Sequence, residues 1–352
     1  MTTTLPTSFS SLPEDIILSC LARVSKFCRP TLSLVSKYFR SLVASPDLEA
    51  TRSRNGITED YLCVCLNVGS KPRWFTLAPF PQQQKLKPIP PFPYCRHPES
   101  STVVSIGSEI YIIGGSLHQK KGNRVLVLDC RSHQWRRLPN MRLARETPAA
   151  DVIDGKIYVL GGSTSHKIEN WGEVYDLKTK TWEPLLPKTL NLTTQKSVVP
   201  GKLVMGGKVY AMNDGLMKLN LMTNICLVEI ENIMFQISIS NGMLVWFNPE
   251  ENLGWSMGLE GVPRDPYFPS YLTSVASYDR GRRVTVWWKL TVSRCIDPSW
   301  VESKTEICCA EISFERRDLG KLWGFVEWSK NVFIFDGSAS SDFFLHSAIV
   351  TY

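Results

Sequence analysis

The residues able to do chemistry are scattered along this chain, and their spacing assembles none of the usual catalytic sets. The five histidines (His97, His118, His133, His166 and His346) stand alone, and each reads as a surface or loop residue. Cys63 and Cys65 form a Cys-x-Cys on one side of a strand, but no second Cys or His pair lies near in sequence. A buried structural role outweighs a metal site there. No phosphate loop, dinucleotide fingerprint, G-x-S-x-G elbow or H-E-x-x-H helix occurs. The densest basic patch, Arg280-Gly281-Arg282-Arg283, has no nucleic-acid motif beside it and reads as a solvated turn. No catalytic residue, cofactor or metal is expected, which leaves recognition as the chemistry to explain.

The elements that would position a recognition surface are written twice between Ser108 and Pro187. EIYIIGG and VLVLDCRSHQWRRL return as KIYVLGG and EVYDLKTKTWEPL, with Tyr111/Tyr158, Gly114-Gly115/Gly161-Gly162, Asp129/Asp176 and Trp135/Trp182 each 47 residues apart. A period of that size means stacked supersecondary units. Within one unit, Val152 to Leu160 is a hairpin turning at Asp154-Gly155, a pair that tolerates positive φ. The glycine doublet ends the second strand, where missing Cβ atoms let backbones crowd. Gly172 to Leu177 and Thr181 to Leu185 supply two more strands, and Trp182 and Tyr158 are suited to filling the space between sheets. Four antiparallel strands, repeated, describe a β-propeller blade.

These residues resemble the kelch repeat: Gly114-Gly115 with Trp135, and Gly161-Gly162 with Tyr175-Asp176 and Trp182, with Arg145 near the usual repeat-opening arginine. The resemblance implies a mainly β, kelch-type propeller of about six blades, five or seven staying open. It occupies 61–352, with clear repeats at 100–140 and 147–187 and degenerate blades after 196. There Gly206-Gly207 sits at a hairpin turn, Asn213-Asp214 takes the doublet's place, and Cys226 replaces the tryptophan. Asn241-Gly242 and Tyr278 to Gly281 read as further turns. The chain enters in mid-blade at Tyr61 to Leu66 and Arg73 to Leu77, while Val332 to Phe335 and Leu345 to Thr351 are left over. Segments 61–77 and 331–352 are therefore expected to close one blade, removing exposed edges. Proline-rich Pro79 to Pro98 is a surface connection.

The first 54 residues differ from all that follows. After residues 1–8, expected to be disordered, Ser11-Leu12-Pro13-Glu14 reads as a capping box. Leu12, Ile16, Ile17, Cys20, Leu21 and Val24 then recur at helical spacing. A second helix after Pro30 carries Leu32, Val35, Phe39 and Leu42, and a third covers Asp47 to Arg54. Three short helices make too small a core to stand comfortably alone. Leu12-Pro13-Glu14-Asp15, Ile16-Ile17-Leu18 and Leu34 to Arg40 followed by Leu42 resemble the F-box, spanning 9–54, with 55–60 as a short linker. That resemblance implies docking on an Skp-family adaptor and, through it, a cullin scaffold, with Leu12, Pro13, Ile16, Val35 and Phe39 forming the docking surface.

Composition agrees with such a chain. At 352 residues, 43% hydrophobic and 21% charged, it has room for two domains and contains no apolar run of membrane-spanning length. The ten cysteines fit reduced thiols in cytoplasm or nucleus, so the Asn191-Leu192-Thr193 sequon carries no weight. A net charge of +7, from 40 basic and 33 acidic residues, is scattered, and neither nucleic acid nor membrane is an expected partner. Together the two resemblances imply a plant-type F-box/kelch protein. It would be a non-catalytic substrate receptor of an Skp–cullin–F-box ubiquitin ligase, presenting a protein target on the propeller for ubiquitination and proteasomal degradation. The alternative is a kelch scaffold or kelch enzyme working without a ligase, such as a copper oxidase, although no Tyr/His ligand set is visible. The loops Leu117 to Asn123 and Ser163 to Trp171 are polar and do not disclose the target.

Overall fold

The structure is a computed structural model that describes residues 9–69, 71–77, 85–91, 97–164, 170–185, 202–205, 208–213, 218–221, 225–230, 233–240, 243–247, 257–258, 260, 275–278, 283–297, 300–317, 321–337 and 343–352. Residues 1–8, Gly206-Gly207, Asp214, Asn241-Gly242, Asp279 to Arg282, His166 and most of the proline-rich connection lie outside them. The chain divides into two units, Met1–Tyr61 with Thr351–Tyr352, and Leu62–Val350.

The first unit is helical: α1 (Glu14–Ala22), α2 (Arg29–Leu32), α3 (Lys37–Ala44) and α4 (Pro46–Arg54). There are four helices where three were expected, because the second is interrupted. Ser36 leaves the helical backbone (φ −162°) and restarts α3, its hydroxyl accepting the Phe39 N–H at 3.1 Å. Ser45 does the same for α4, accepting the Asp47 N–H at 3.0 Å with Pro46 at the start of the helix. Helix α1 starts later than the capping box expects. Pro13 is the N-cap and Glu14 the first helical residue, so its carboxylate is not at the third position that could reach back.

Ile17, Leu18, Leu21 and Ala22 of α1 pack with Leu42 and Leu48, flanked by Leu12, Leu32, Phe39 and Ile57. Buried Arg52 donates from Nη1 to the Ala22 and Val24 carbonyls at 2.6 and 2.9 Å, satisfying groups that the end of α1 leaves open. Glu59 gathers the same region: its Oε2 accepts from the Ser25 hydroxyl at 3.2 Å, the Lys26 N–H at 3.1 Å and the Tyr61 phenol.

The second unit is a β-propeller whose described residues form six antiparallel sheets of three or four strands and one two-stranded ribbon, consistent with six blades. The second sheet is Thr102–Ile106, Glu109–Ile113, Val125–Asp129 and Gln134–Arg137; the third is Ala149–Ile153, Lys156–Leu160, Gly172–Asp176 and Thr181–Pro184. Asp154 and Gly155 have φ of 50° and 71°, as a tight hairpin requires. Val104, Tyr111, Ile113, Val125 and Val127 of one sheet meet Ala150, Ile157, Val159 and Tyr175 of the next. Tyr158, next to Ile157 and Val159, lies on the opposite face of its strand.

The first sheet is assembled from both ends of the unit: Phe344–Thr351 pairs with Asp60–Val68, followed by Lys71–Leu77 and Leu86–Pro88. Segment 331–336, expected among the closing strands, instead continues Leu322–Asp336, the last strand of the sheet formed with Val275–Tyr278, Arg283–Asp297 and Trp300–Arg316. The polar run Ser329-Lys330-Asn331, which resembles a turn, is carried through by irregularities in register on either side. One late strand therefore joins three early ones.

The glycine doublets sit at close backbone approaches. A Cβ on Gly115 would lie 2.5 Å from the Glu99 carbonyl, and one on Gly162 would collide with the carbonyl of Glu146, the equivalent residue one repeat on. Both have positive φ, 91° and 72°. Trp135 and Trp182 are equivalent too: each indole donates to the carbonyl of a proline before its own sheet, Pro90 at 3.3 Å and Pro139 at 2.9 Å. Asp129 and Asp176 fasten the following turns, accepting the N–H groups of Arg131 and Lys178 at 2.9 and 2.8 Å.

Arg145 is fully buried. Its Nε donates to Glu173 Oε1 at 2.8 Å, Nη1 to the Gly161 and Trp171 carbonyls at 2.6 and 3.0 Å, and Nη2 to the Asn170 carbonyl at 3.0 Å. Glu173 Oε2 accepts the Arg142 N–H at 2.7 Å. Such a satisfied pair tolerates burial, but removal of one partner strands the other charge. Arg145→Met is expected to destabilise the protein by about 3–5 kcal/mol, and adding Glu173→Leu should recover part of that loss in chemical denaturation.

His97 and His346 are not surface residues. The strand Phe344–Thr351 alternates buried and half-buried, and His346 is on its buried side. Ser101 Oγ lies 3.1 Å from His346 Nε2, the Trp74 ring is nearly parallel to His346 at 6.2 Å, and the His97 ring centre is 5.5 Å away. His97 Nδ1 donates to the Pro98 carbonyl at 2.9 Å, and burial pushes its imidazole down to about 4. The unfolded chain would take up this proton near 6.5, so the folded state holds its full stability above that pH and loses it as pH falls toward 4. The loss is on the order of 3 kcal/mol. Thermal midpoints should fall across this window, and His97→Gln should flatten the fall; identical pH profiles for both proteins would contradict the assignment.

Candidate protein-docking surface

The helical core leaves large apolar side chains outside it. Leu34 is 77% exposed, Val35 62%, Ile16 45% and Tyr38 40%. The cause is local. Leu34 and Val35 lie in the interruption between α2 and α3, ahead of the Ser36 cap, and so belong to neither helix's buried stripe. On α1, Ile17, Leu18 and Leu21 point inward while Ile16, one step round the helix, faces solvent.

Aromatic contacts give this surface a backing. The Phe9 and Phe39 rings stack with centres 5.6 Å apart, and Tyr38 meets Phe39 edge-on at 6.4 Å. The N-terminal turn and α3 thus share one aromatic ridge, with Leu34 and Val35 immediately before it in the chain.

Of the five docking residues expected from sequence, Pro13, Ile16 and Val35 are exposed, whereas Leu12 and Phe39 are half-buried against the helical core. The latter two support the surface more than they supply it. Leu34 and Tyr38 were missed. The signal for Leu34 was its place outside the expected stripe of Leu32, Val35, Phe39 and Leu42, between Ser33 and Ser36; nothing local singled out Tyr38.

The arrangement offers apolar area that a partner could cover. Burying a side chain such as Leu34 or Val35 against a partner is worth roughly 1.5–3 kcal/mol each. Among the described residues no group of three or more His, Cys, Asp or Glu is placed to hold a metal ion. No helix among them is long and apolar enough to cross a membrane. Cys63 and Cys65 have acquired neighbours from elsewhere in the chain, Cys130 Sγ at 3.9 Å and His97 Nε2 at 3.9 Å, and all three cysteines are buried and outside any disulfide.

The division between support and contact is measurable. Phe39→Ala should cost about 2 kcal/mol of stability through lost packing, whereas Leu34→Ser and Val35→Ser should each stay within about 0.5 kcal/mol of the parent. Thermal denaturation followed by the helical signal separates the two classes.

Residues 9–51 match the F-box domain model, and residues 74–333 match that of the FKB95 kelch-repeats domain. A putative F-box/kelch-repeat protein of Arabidopsis thaliana is 60% identical over 99% of this chain and 96% of its own length. Another from the same plant is 61% identical over 99% of this chain and 90% of its own length. An F-box/kelch-repeat protein, also from that plant, is 48% identical over 99% and 96%.

Proposed function

This chain belongs to the F-box/kelch-repeat family, and we propose that it is the substrate-recognition subunit of an Skp–cullin–F-box ubiquitin ligase. The observation that carries this reading is the exposed apolar surface of Ile16, Leu34, Val35 and Tyr38 on an otherwise well-packed helical unit. A small unit that has filled its own core and still shows such side chains has a partner to cover them. By family, that partner is an Skp-type adaptor, which connects to a cullin.

In this role the protein makes and breaks no bond. The helical unit joins the ligase while the propeller holds a target protein, so that transfer of ubiquitin to the target becomes nearly intramolecular. The gain comes from effective concentration, which is in the millimolar range for short linkers. Degradation of the target follows from that ubiquitination. The cytoplasm or nucleus is the compartment we assign, supported by seven cysteines that stand outside any disulfide.

The test is capture of a purified Skp-type adaptor by the full chain. Leu34→Asp with Val35→Asp should weaken capture by about thirtyfold or more, the equivalent of removing about 2 kcal/mol of central apolar contact. The melting temperature should not move. Undiminished capture by a folded double variant would overturn the reading.

A further inference from the structure

One end of the second sheet carries a feature that adaptor docking does not use. Between Gly115 and Val125 the chain forms a two-stranded ribbon, Ser116–Leu117 against Lys120–Lys121. Its base is fixed on several sides. The Gly122 N–H donates to the Gly115 carbonyl at 2.7 Å, and the Arg145 N–H donates to the Gly122 carbonyl at 3.0 Å. The Met141 N–H donates to the Asn123 carbonyl at 2.8 Å, and the Asn123 side-chain amide donates back to the Met141 carbonyl at 3.0 Å. The Lys121 ammonium reaches the Gly162 carbonyl at 3.3 Å. The ribbon is thus held by both repeats.

Its tip is built against local preference. His118 and Gln119 have φ of 50° and 64°, the left-handed conformation that two-residue hairpin turns ordinarily give to Asn-Gly. Side chains held in that conformation persist where the surroundings enforce it, and such strain clusters at binding sites.

Its charge is one-sided. Residues 116–124 include His118, Lys120, Lys121 and Arg124 and no acid. Exposed Arg142 follows Met141, the partner of Asn123 at the ribbon's base. The carboxylates at this end are committed: Glu146 accepts the Ser116 hydroxyl at 3.0 Å, and Glu173 holds Arg145 and the Arg142 N–H. Among the described residues no carboxylate pairs with the side chains of Lys120, Lys121 or Arg142. On the blades, by contrast, Arg136, Lys156 and Arg283 face Glu109, Asp176 and Glu311.

We propose that this ribbon, with Arg142 beside it, seats an acidic segment of the target protein, whose carboxylates or phosphates pair with Lys120, Lys121 and Arg142. The proposal rests on the reading of the propeller as the target-binding unit. A rigid basic ribbon loses little freedom when it pairs with such a segment. A protein fits better than nucleic acid, because no aromatic platform for bases accompanies the cations on the ribbon.

The test uses the full chain and fluorescent synthetic peptides: one rich in Asp and Glu, one carrying phosphoserines, one neutral and one rich in lysine, with a DNA duplex alongside. At least one acidic peptide should bind, more weakly as salt rises, and K120E/K121E should weaken it about tenfold or more. K178E/K180E should not, since those lysines lie on a turn at the opposite end of the third sheet's strands. Preference for the carboxylate or the phosphorylated peptide identifies the source of the negative charge, and either supports the proposal. Failure of both acidic peptides to bind, equal weakening in both charge-reversed variants, or equally tight binding of the duplex would overturn it. Adaptor capture by K120E/K121E, run in parallel, distinguishes failure of the ribbon from failure of the ligase assignment.

Discussion

The two clear repeats depend on how closely one backbone can approach another. Gly115 lies against the Glu99 carbonyl and Gly162 against that of Glu146, the same contact displaced by one repeat. Any side chain at either glycine would push the end of its sheet away from the segment that starts the same blade. The buried ion pair is secondary to this, because it does not recur. One repeat before Arg145 stands Pro98, and one repeat before Glu173 stands Leu126. A proline and a leucine occupy the places of a buried guanidinium and carboxylate without disturbing the glycine contact. Close approach is the repeated constraint, and the charges are one local way of filling the space around it.

That difference explains how much the sequence disclosed. The glycines, tryptophans and Asp-turn residues act through backbone geometry or a single carbonyl, so they recur at fixed spacing and were legible, and with them the propeller. The helical segment was legible as a family pattern, yet its internal joints were not. The break at Ser33 to Ser36 and the start of α1 at Glu14 depend on which of several serines caps which helix, and several placements look alike in sequence. The buried histidines were misread for a related reason. His97 and His346 lie far apart in the chain, and only the pairing of the late strand Phe344–Thr351 with the first sheet brings them together. Nothing local to either residue announces burial.

The two candidate surfaces differ in physical kind. The helical surface is apolar and backed by stacked rings, so its binding strength scales with the area it removes from water and responds little to salt. The ribbon is cationic and solvent-exposed, so it contributes to selectivity and encounter rate more than to raw affinity. For the proposed receptor, the arrangement suits staying on a scaffold while exchanging targets. An apolar anchor dissociates slowly, whereas a charged rim contact is made and broken quickly.

Closure of the first sheet by a late strand also sets the order in which this protein can be made. The strand Asp60–Val68 is synthesised early, but its partner Phe344–Thr351 follows roughly 280 residues later, tens of seconds of translation at about 5–20 residues per second. For most of that interval Val64 and Leu66, whose cluster includes Trp287, Val332 and Phe343, have none of those neighbours. Pairing at such long range is entropically slow as well. The nascent chain therefore carries an open, apolar sheet edge for most of its synthesis, exposed to wrong pairing until the last strand arrives.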